Sequence, residues 1–331
     1  MIKKYNLKLV VFMICVLYST ILSAQINTPS GAVVPFGANP KYAYGIMPTN
    51  LPSGGTYGKS QDAANAYNTW KSSYVVACGA GYRVEFDDPT VTVSEGIGYG
   101  MLLAAYAGDQ ALFNGLWTYY KANADGNGLM NWRIAGCSGA TGSNGATDAD
   151  LDAAYALLVA YNQWPNATSP FNYKTEATAQ IARIKSTEVN SSSNYQAING
   201  DGWGYSNTCR NPSYQAPAYY KAFNNFNADA NWTNAVTSGY NLINANVNGT
   251  TGLVSDWCDN NGVANTCNGS PNGQVTLGYG YDACRNPWRM ATDVIWNNET
   301  RSKTICTNLA SFLNGVGAAN VSAPLYQTGG N

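Results

Sequence analysis

The chain has 331 residues, a formal net charge of -1 and only 11% charged residues. That balance leaves no basic stripe for nucleic acid and no polybasic patch for anionic lipid. Aromatic residues are abundant, with 24 Tyr and 9 Trp. They suit neutral, hydroxyl-rich ligands, because rings pack on C–H faces while phenol and indole groups hydrogen-bond; they serve a core equally well.

In chain order, residues 1–24 read as a secretory signal. Lys3 and Lys4 precede a mostly apolar run from Leu7 to Leu22, and Ser23-Ala24 supplies a small-residue cleavage site. A retained membrane anchor is the alternative. No later segment is apolar and long enough to span a bilayer. The expectation is an exported, extracellular or periplasmic protein, free of the membrane once the signal is removed. A Pro/Gly-rich lead-in (Thr28 to Gly55) follows. Apolar residues then recur at three-to-four spacing, as at Leu151, Tyr155, Leu158 and Val159. This spacing predicts helices over 59–75, 94–107, 109–124, 148–163, 172–187, 215–227, 230–246, 286–298 and 299–314. Strand signals are short, chiefly Val91 to Val93. Long polar loops, 125–147, 188–214 and 247–281, separate the helices and are the natural carriers of a site. No composition break divides 25–331, which reads as a single, mostly helical, monomeric domain. Gly315 to Asn331 reads as loop with no closing helix. This gives the expectation that the chain stops early.

Histidine is absent. Ser-His-Asp and Cys-His catalysis, histidine-ligated zinc and imidazole bases are thereby excluded, and proton transfer falls mainly to Asp and Glu. Cys15 leaves with the signal, and Cys78, Cys137, Cys209, Cys258, Cys267, Cys284 and Cys306 remain. No CxxC pair supports a metal or redox motif. Neither a metal nor another cofactor is expected. Export favours disulfides, and Cys258 and Cys267, which bracket a Gly/Asn-rich loop, are the expected bridge. Seven is odd, so at least one thiol is left over.

Three carboxylates open or precede helices, where one rim of a helical barrel would gather them. Glu95 lies in Ser94-Glu95-Gly96-Ile97-Gly98-Tyr99-Gly100-Met101. Ser94 is a candidate N-cap, and Glu95 is either a first-turn acid favoured by the helix dipole or a general acid. A capping box would place the Glu three residues after the Ser, so capping explains Glu95 poorly. The glycines imply close approach by a ligand or another backbone. Asp148, in Ala146-Thr147-Asp148-Ala149-Asp150-Leu151-Asp152, is a cap or a site residue. One cap does not require three crowded aspartates. Asp282, in Tyr281-Asp282-Ala283-Cys284-Arg285-Asn286-Pro287-Trp288-Arg289, precedes a helix expected to have Asn286 as cap and Pro287 first. Arg285 either forms a local ion pair with Asp282 or keeps it ionised as a general base requires. Glycoside cleavage needs such a set, an acid for the leaving oxygen and a second carboxylate to attack or to activate water, with different pKa values. Glu95, beside apolar and aromatic residues, is expected to keep its proton, and Asp282, beside Arg285, to lose it.

Together these motifs resemble glycoside hydrolase family 8, its cellulase-like members more than its xylanases. The resemblance runs in order through Pro35-Phe36, Tyr42-Ala43-Tyr44-Gly45, Ser94 to Met101, Gly126-Asn127-Gly128-Leu129-Met130-Asn131-Trp132 and Ala146 to Asp152. It continues through Asn211-Pro212-Ser213-Tyr214-Gln215-Ala216-Pro217, Gly252-Leu253-Val254-Ser255-Asp256-Trp257 and Tyr281 to Arg289. It implies an all-α fold, an (α/α)6 barrel of the six-hairpin glycosidase type, here without its last helical hairpin. It also implies an inverting mechanism with Glu95 as general acid, Asp282 as general base, and Asp148 at the sugar of the cleaved bond. Trp132, Trp203, Tyr214 and Tyr281 would bind the β-linked polysaccharide, and Arg285 would support the base. The Ala-Thr-Asp-Ala-Asp pattern favours β-1,4-glucan, hence an endo-β-1,4-glucanase. Chitosan, xylan or mixed-linkage glucan, and a non-catalytic polysaccharide-binding protein, are the alternatives.

Overall fold

The computed structural model describes residues 60–265, 267, 277–317, 326, 328 and 329. The signal, the lead-in with its Pro35-Phe36 and Tyr42–Gly45 motifs, and most of the stretch after 317 lie outside the described residues. Nine α-helices occur among the described residues: α1 (Ser60–Tyr74), α2 (Ser94–Ala107), α3 (Gln110–Ala122), α4 (Thr147–Gln163), α5 (Tyr173–Thr187), α6 (Pro217–Asn227), α7 (Asn231–Asn246), α8 (Asn286–Asn297) and α9 (Thr300–Val316). Each matches an expected helix to within two residues at either end. Among the described residues, no helix is long and apolar enough to cross a membrane.

Consecutive helices pair as α2 with α3, α4 with α5, α6 with α7 and α8 with α9. The first members of these hairpins also meet one another, α2 against α4, α4 against α6 and α6 against α8. This inner-and-outer alternation is that of an (α/α)6 barrel. Burial follows the same division. Every residue of α4 from Thr147 to Ala160 is buried, as befits a helix surrounded by others. Outer α3 instead buries a stripe that includes Leu112, Phe113, Leu116, Trp117 and Tyr120. One apolar core joins α2 to α7, and a smaller cluster (Tyr240, Ile243, Met290 and Ile305) seats α8 and α9 on α7.

Short strands tie the loops to the helices. β1 (Val75–Cys78) and β2 (Gly81–Val84) form an antiparallel hairpin, where the periodicity predicted only the end of a helix. Its signal was Gly79, at φ 59 in the two-residue turn. β3 (Thr92–Val93) falls within the expected Val91 to Val93 strand and pairs with β4 (Arg133–Ile134), which pairs with β5 (Ala140–Gly142). That sheet fastens the loop before α4 to the entrance of α2. β6 (Cys209–Arg210) pairs with β7 (Cys258–Asp259), and Tyr326 bridges back to Tyr279.

The disulfides correct one expectation. Cys267 bonds to Cys209, not to Cys258, and Cys78 bonds to Cys137. Cys209 and Cys258 both lie in the β6–β7 ladder but opposite different partners, Asp259 and Arg210, so strand register and not nearness in sequence decides which thiol Cys267 meets. Closeness in sequence does not set the direction of a Cβ. Cys258, Cys284 and Cys306 are free thiols.

Of the glycines around Glu95, Gly98 supports a backbone approach. A Cβ there would lie 3.0 Å from the Ala149 carbonyl oxygen and 3.1 Å from Asp152 Cβ, so α2 rests directly on the acidic end of α4. At Gly96 a Cβ would meet Val84 at an ordinary 3.6 Å. Gly98→Val should therefore destabilise the fold by about 1–3 kcal/mol through overpacking. Gly96→Ala should be neutral or stabilising by up to about 1 kcal/mol through helix propensity. Urea unfolding of the two variants checks the contrast, and equal behaviour would refute the packing assigned to Gly98.

Candidate active site

The inner helices α2, α4 and α8 begin on one rim, and the loops deliver their entrances in an unexpected way. None of the three helices has a side-chain cap. Ser94 is the first residue of α2 and not its cap; its N–H donates to the Trp132 carbonyl at 3.0 Å. Ala146, not Thr147 or Asp148, occupies the cap position of α4, and the Thr147 N–H donates to the Asn199 carbonyl at 3.3 Å. Asn286 lies inside α8, Pro287 is not its first residue, and Arg285 is at the cap position, because a 3-10 turn, Ala283–Arg285, runs straight into the helix. A loop carbonyl thus takes the first amide of α2 and the first amide of α4, and no side chain caps either entrance. The acids at these entrances are left to face each other.

They converge on Arg285. Its Nη1 donates to Glu95 Oε1 at 2.6 Å and to Asp148 Oδ2 at 3.1 Å, and its Nη2 donates to Asp282 Oδ1. The three acids come from positions up to 190 residues from the arginine in sequence. Below the guanidinium lies the Tyr214 ring, 5.3 Å from centroid to Cζ. Tyr214 therefore belongs to the site as a buried floor, 6% exposed, and not as an open wall. Tyr99, one turn after Glu95, donates its hydroxyl to Glu95 Oε1 at 2.7 Å and meets Trp288 edge-on. Asp148 is 2% exposed, and its Oδ1 accepts no hydrogen bond among the described residues.

A second ion pair repeats the first one helical turn deeper. Asp152, four residues after Asp148, takes a bidentate contact at 2.6 and 2.9 Å from Arg289, four residues after Arg285. Asp150, between the two aspartates, points elsewhere and accepts from Tyr120. Burial pushes both Asp150 and nearby Glu188 well above the ordinary carboxylate range; Asp150 adds to the rise of Glu188, whereas a hydrogen bond with Glu188 opposes the rise of Asp150.

The proton distribution reverses the expected order. Burial pushes Glu95 up, but Arg285 and the Tyr99 hydroxyl outweigh it and hold the carboxyl below its ordinary value. Burial also raises Asp282; Arg285 opposes this and the Asp256 carboxylate adds to it. Asp148 is pushed up to about 7, by burial first, against Arg285 and with help from Glu95 and Asp152. One guanidinium serves three carboxylates, so a proton is retained near neutrality, and Asp148 holds it.

Trp132 and Trp203 stand as a half-buried pair with rings 6.2 Å apart and nearly perpendicular. Asp201 ties their loops together, accepting from the Gly145 N–H at 2.6 Å and from Asn127 Nδ2 at 2.5 Å. Tyr281 is 67% exposed beside Asp282. Among the described residues, no group of three or more His, Cys, Asp or Glu could hold a metal ion. Sequence reasoning assigned no role to Tyr99, Asp152, Arg289, Asp256 or Trp257. The four-residue spacings of Glu95 with Tyr99, Asp148 with Asp152, and Arg285 with Arg289 were the available signal for the first three.

Between pH 3.8 and about 7 the folded protein keeps on Asp148 a proton that the unfolded chain has lost. Stability therefore falls as pH rises through that window, by at most about 1.4 kcal/mol per unit. Asp148→Asn should flatten that fall, measured by urea unfolding between pH 4.5 and 7.5. An undiminished slope would contradict the protonation assigned to Asp148.

A model of glycosyl hydrolases family 8 matches residues 43–327 of the chain. Endoglucanase 2 of Ruminiclostridium josui is 37% identical over 97% of this chain and 69% of that protein. Endoglucanase C of Ruminiclostridium cellulolyticum is 37% identical over 91% of this chain and 65% of its own length. The chain thus spans about two thirds of these curated relatives. Among solved structures, a beta-1,3-1,4-glucanase from Paenibacillus sp. X4 superposes with a TM-score of 0.73 at 29% identity, over 81% of this chain and 75% of that one.

Proposed function

The chain belongs to glycosyl hydrolases family 8, and on that premise we propose that it is an exported, inverting endo-β-1,4-glucanase. The carrying observation is the convergence of Glu95, Asp148 and Asp282 on one guanidinium at the rim of the barrel. Endoglucanases at 37% identity support β-glucan as the polymer. The disulfides Cys78–Cys137 and Cys209–Cys267 suit an oxidising compartment, in keeping with the signal-like N-terminus.

In this reading Glu95 protonates the leaving oxygen and Asp282 takes a proton from the attacking water. The Glu95 side chain is 30% exposed. A sugar covering it strips away water and pushes its pKa upward, toward the protonated form that an acid needs. Asp148, which shares Nη1 of Arg285 with Glu95, is the neighbouring proton reservoir. Asp282 lies on the opposite nitrogen of the guanidinium, so the planar fork holds the base apart from the acid. Trp132, Trp203 and Tyr281 offer ring faces to successive sugars, and the protein acts as a monomer.

Glu95→Gln and Asp282→Asn should each lower kcat on carboxymethylcellulose by about 10²–10⁴-fold or more while sugar binding persists. Full activity in either variant would overturn the assignment. NMR of the first product should show the inverted anomer, and a retained anomer would overturn the water-activating role of Asp282. A parallel panel of carboxymethylcellulose, barley glucan, chitosan and xylan should place the highest rate on β-1,4-glucan. A highest rate on barley glucan would favour the mixed-linkage reading, which the name of the Paenibacillus enzyme supports.

A further inference from the structure

We propose that Asp256 and Trp257 are positioning residues for Asp282, the first holding the backbone of its turn and the second holding its carboxylate. The proposal rests on the reading of Asp282 as general base. Asp256 lies in the loop after α7, is 2% exposed, and reaches across to the Asp282 turn. Its Oδ1 alone accepts from three backbone N–H groups, Gly280 at 2.9 Å, Asp282 at 3.1 Å and Ala283 at 2.8 Å. Three donors on one carboxylate oxygen fix the path of the chain through the reacting residue. The next residue completes the hold: the Trp257 indole Nε1 donates to Asp282 Oδ2 at 2.9 Å. Arg285 occupies the other oxygen, Oδ1. The carboxylate is thereby held from both sides, and its rotation about χ2 is blocked.

The dipeptide is itself braced. Asn246, the last residue of α7, donates to Ser255 Oγ at 2.7 Å and accepts from the Ser255 N–H at 2.9 Å. Ser255 Oγ in turn donates to the Trp257 carbonyl at 2.7 Å, and the Asp256 N–H donates to the Gly278 carbonyl at 2.8 Å. Trp257 is 4% exposed and its ring lies 6.3 Å from Tyr214, the floor of the site. A general base acts only when its oxygen is fixed relative to water and the anomeric carbon, and a displacement of about 1 Å can cost about 100-fold.

The two residues pull the Asp282 proton in opposite directions. The indole N–H favours the carboxylate, while the negative charge of Asp256 disfavours it. The other charged or titratable groups facing Asp282 are Arg285 in its own turn, Glu95 on α2, Tyr214 before α6 and Cys284 beside it.

The test is the pH profile of kcat/KM on carboxymethylcellulose, read beside a 13C NMR titration of the Asp282 carboxyl. Trp257→Phe should move the acid limb to higher pH and lower kcat by about 10-fold with little change in KM. Asp256→Asn keeps an oxygen for the three N–H donors but removes the charge, so its acid limb should move to lower pH. Asp256→Ala should lose about 10–100-fold in kcat. If Asp256→Ala does not fold, the opposite shifts of the other two variants still decide. Unshifted limbs in both Trp257→Phe and Asp256→Asn, or shifts of the same sign, would overturn the proposal. Asp282→Asn assayed in parallel separates the two readings: its full activity would sink the base assignment, whereas an inactive Asp282→Asn beside an unaltered Trp257→Phe would sink only the positioning role.

Discussion

One guanidinium holds the site together. Without Arg285, Glu95, Asp148 and Asp282 would be three like charges gathered at one rim, and like charges at short range drive each other to neutrality. With it, two carboxylates and one proton coexist in a small volume. The arginine is itself fixed from below by the Tyr214 ring and sits where the 3-10 turn meets α8. Its planar fork presents separate nitrogens to Glu95 and to Asp282, a division that a lysine could not make.

The barrel supplies the conditions for that arrangement. α4 is buried along most of its length and carries three aspartates into the interior. Each is accommodated differently: Asp148 by Arg285 and a retained proton, Asp150 by Tyr120 and the Glu188 pair, Asp152 by a bidentate Arg289. Breaking a buried pair such as Asp152–Arg289 strands a charge, so this lower rung fixes α8 against α4 while the upper rung gathers the three candidate acids. Gly98 lets α2 approach the same acidic turn, which brings Glu95 within reach of Arg285. Loop carbonyls take the first amides of α2 and α4, and none of the three acids is spent as a helix cap.

Much of this was legible in the sequence. The helices were, because apolar residues recur with a helical period and the fold buries one face of most helices. The candidate acids stood out because each opens or precedes a helix and histidine is absent. The proton order was not legible. Glu95 sits among apolar and aromatic neighbours in sequence, but its nearest charge is an arginine 190 residues away. The roles of Asp256 and Trp257 were hidden for the same reason, since their partners in the Asp282 turn lie 24 to 27 residues on and meet them only through the fold. The Cys209–Cys267 bridge likewise depends on strand register and not on spacing along the chain.

The dependence of the site on Arg285 is tested most directly by titrating the Glu95 carboxyl by 13C NMR in the parent protein and in Arg285→Met. If the guanidinium sets the proton order, Glu95 titrates below its ordinary value in the parent and rises above it in the variant, because burial then acts unopposed except by the Tyr99 hydroxyl and the more distant Arg289. A Glu95 resonance that titrates at the same pH in both proteins, with the fold intact, would contradict the central role given to Arg285.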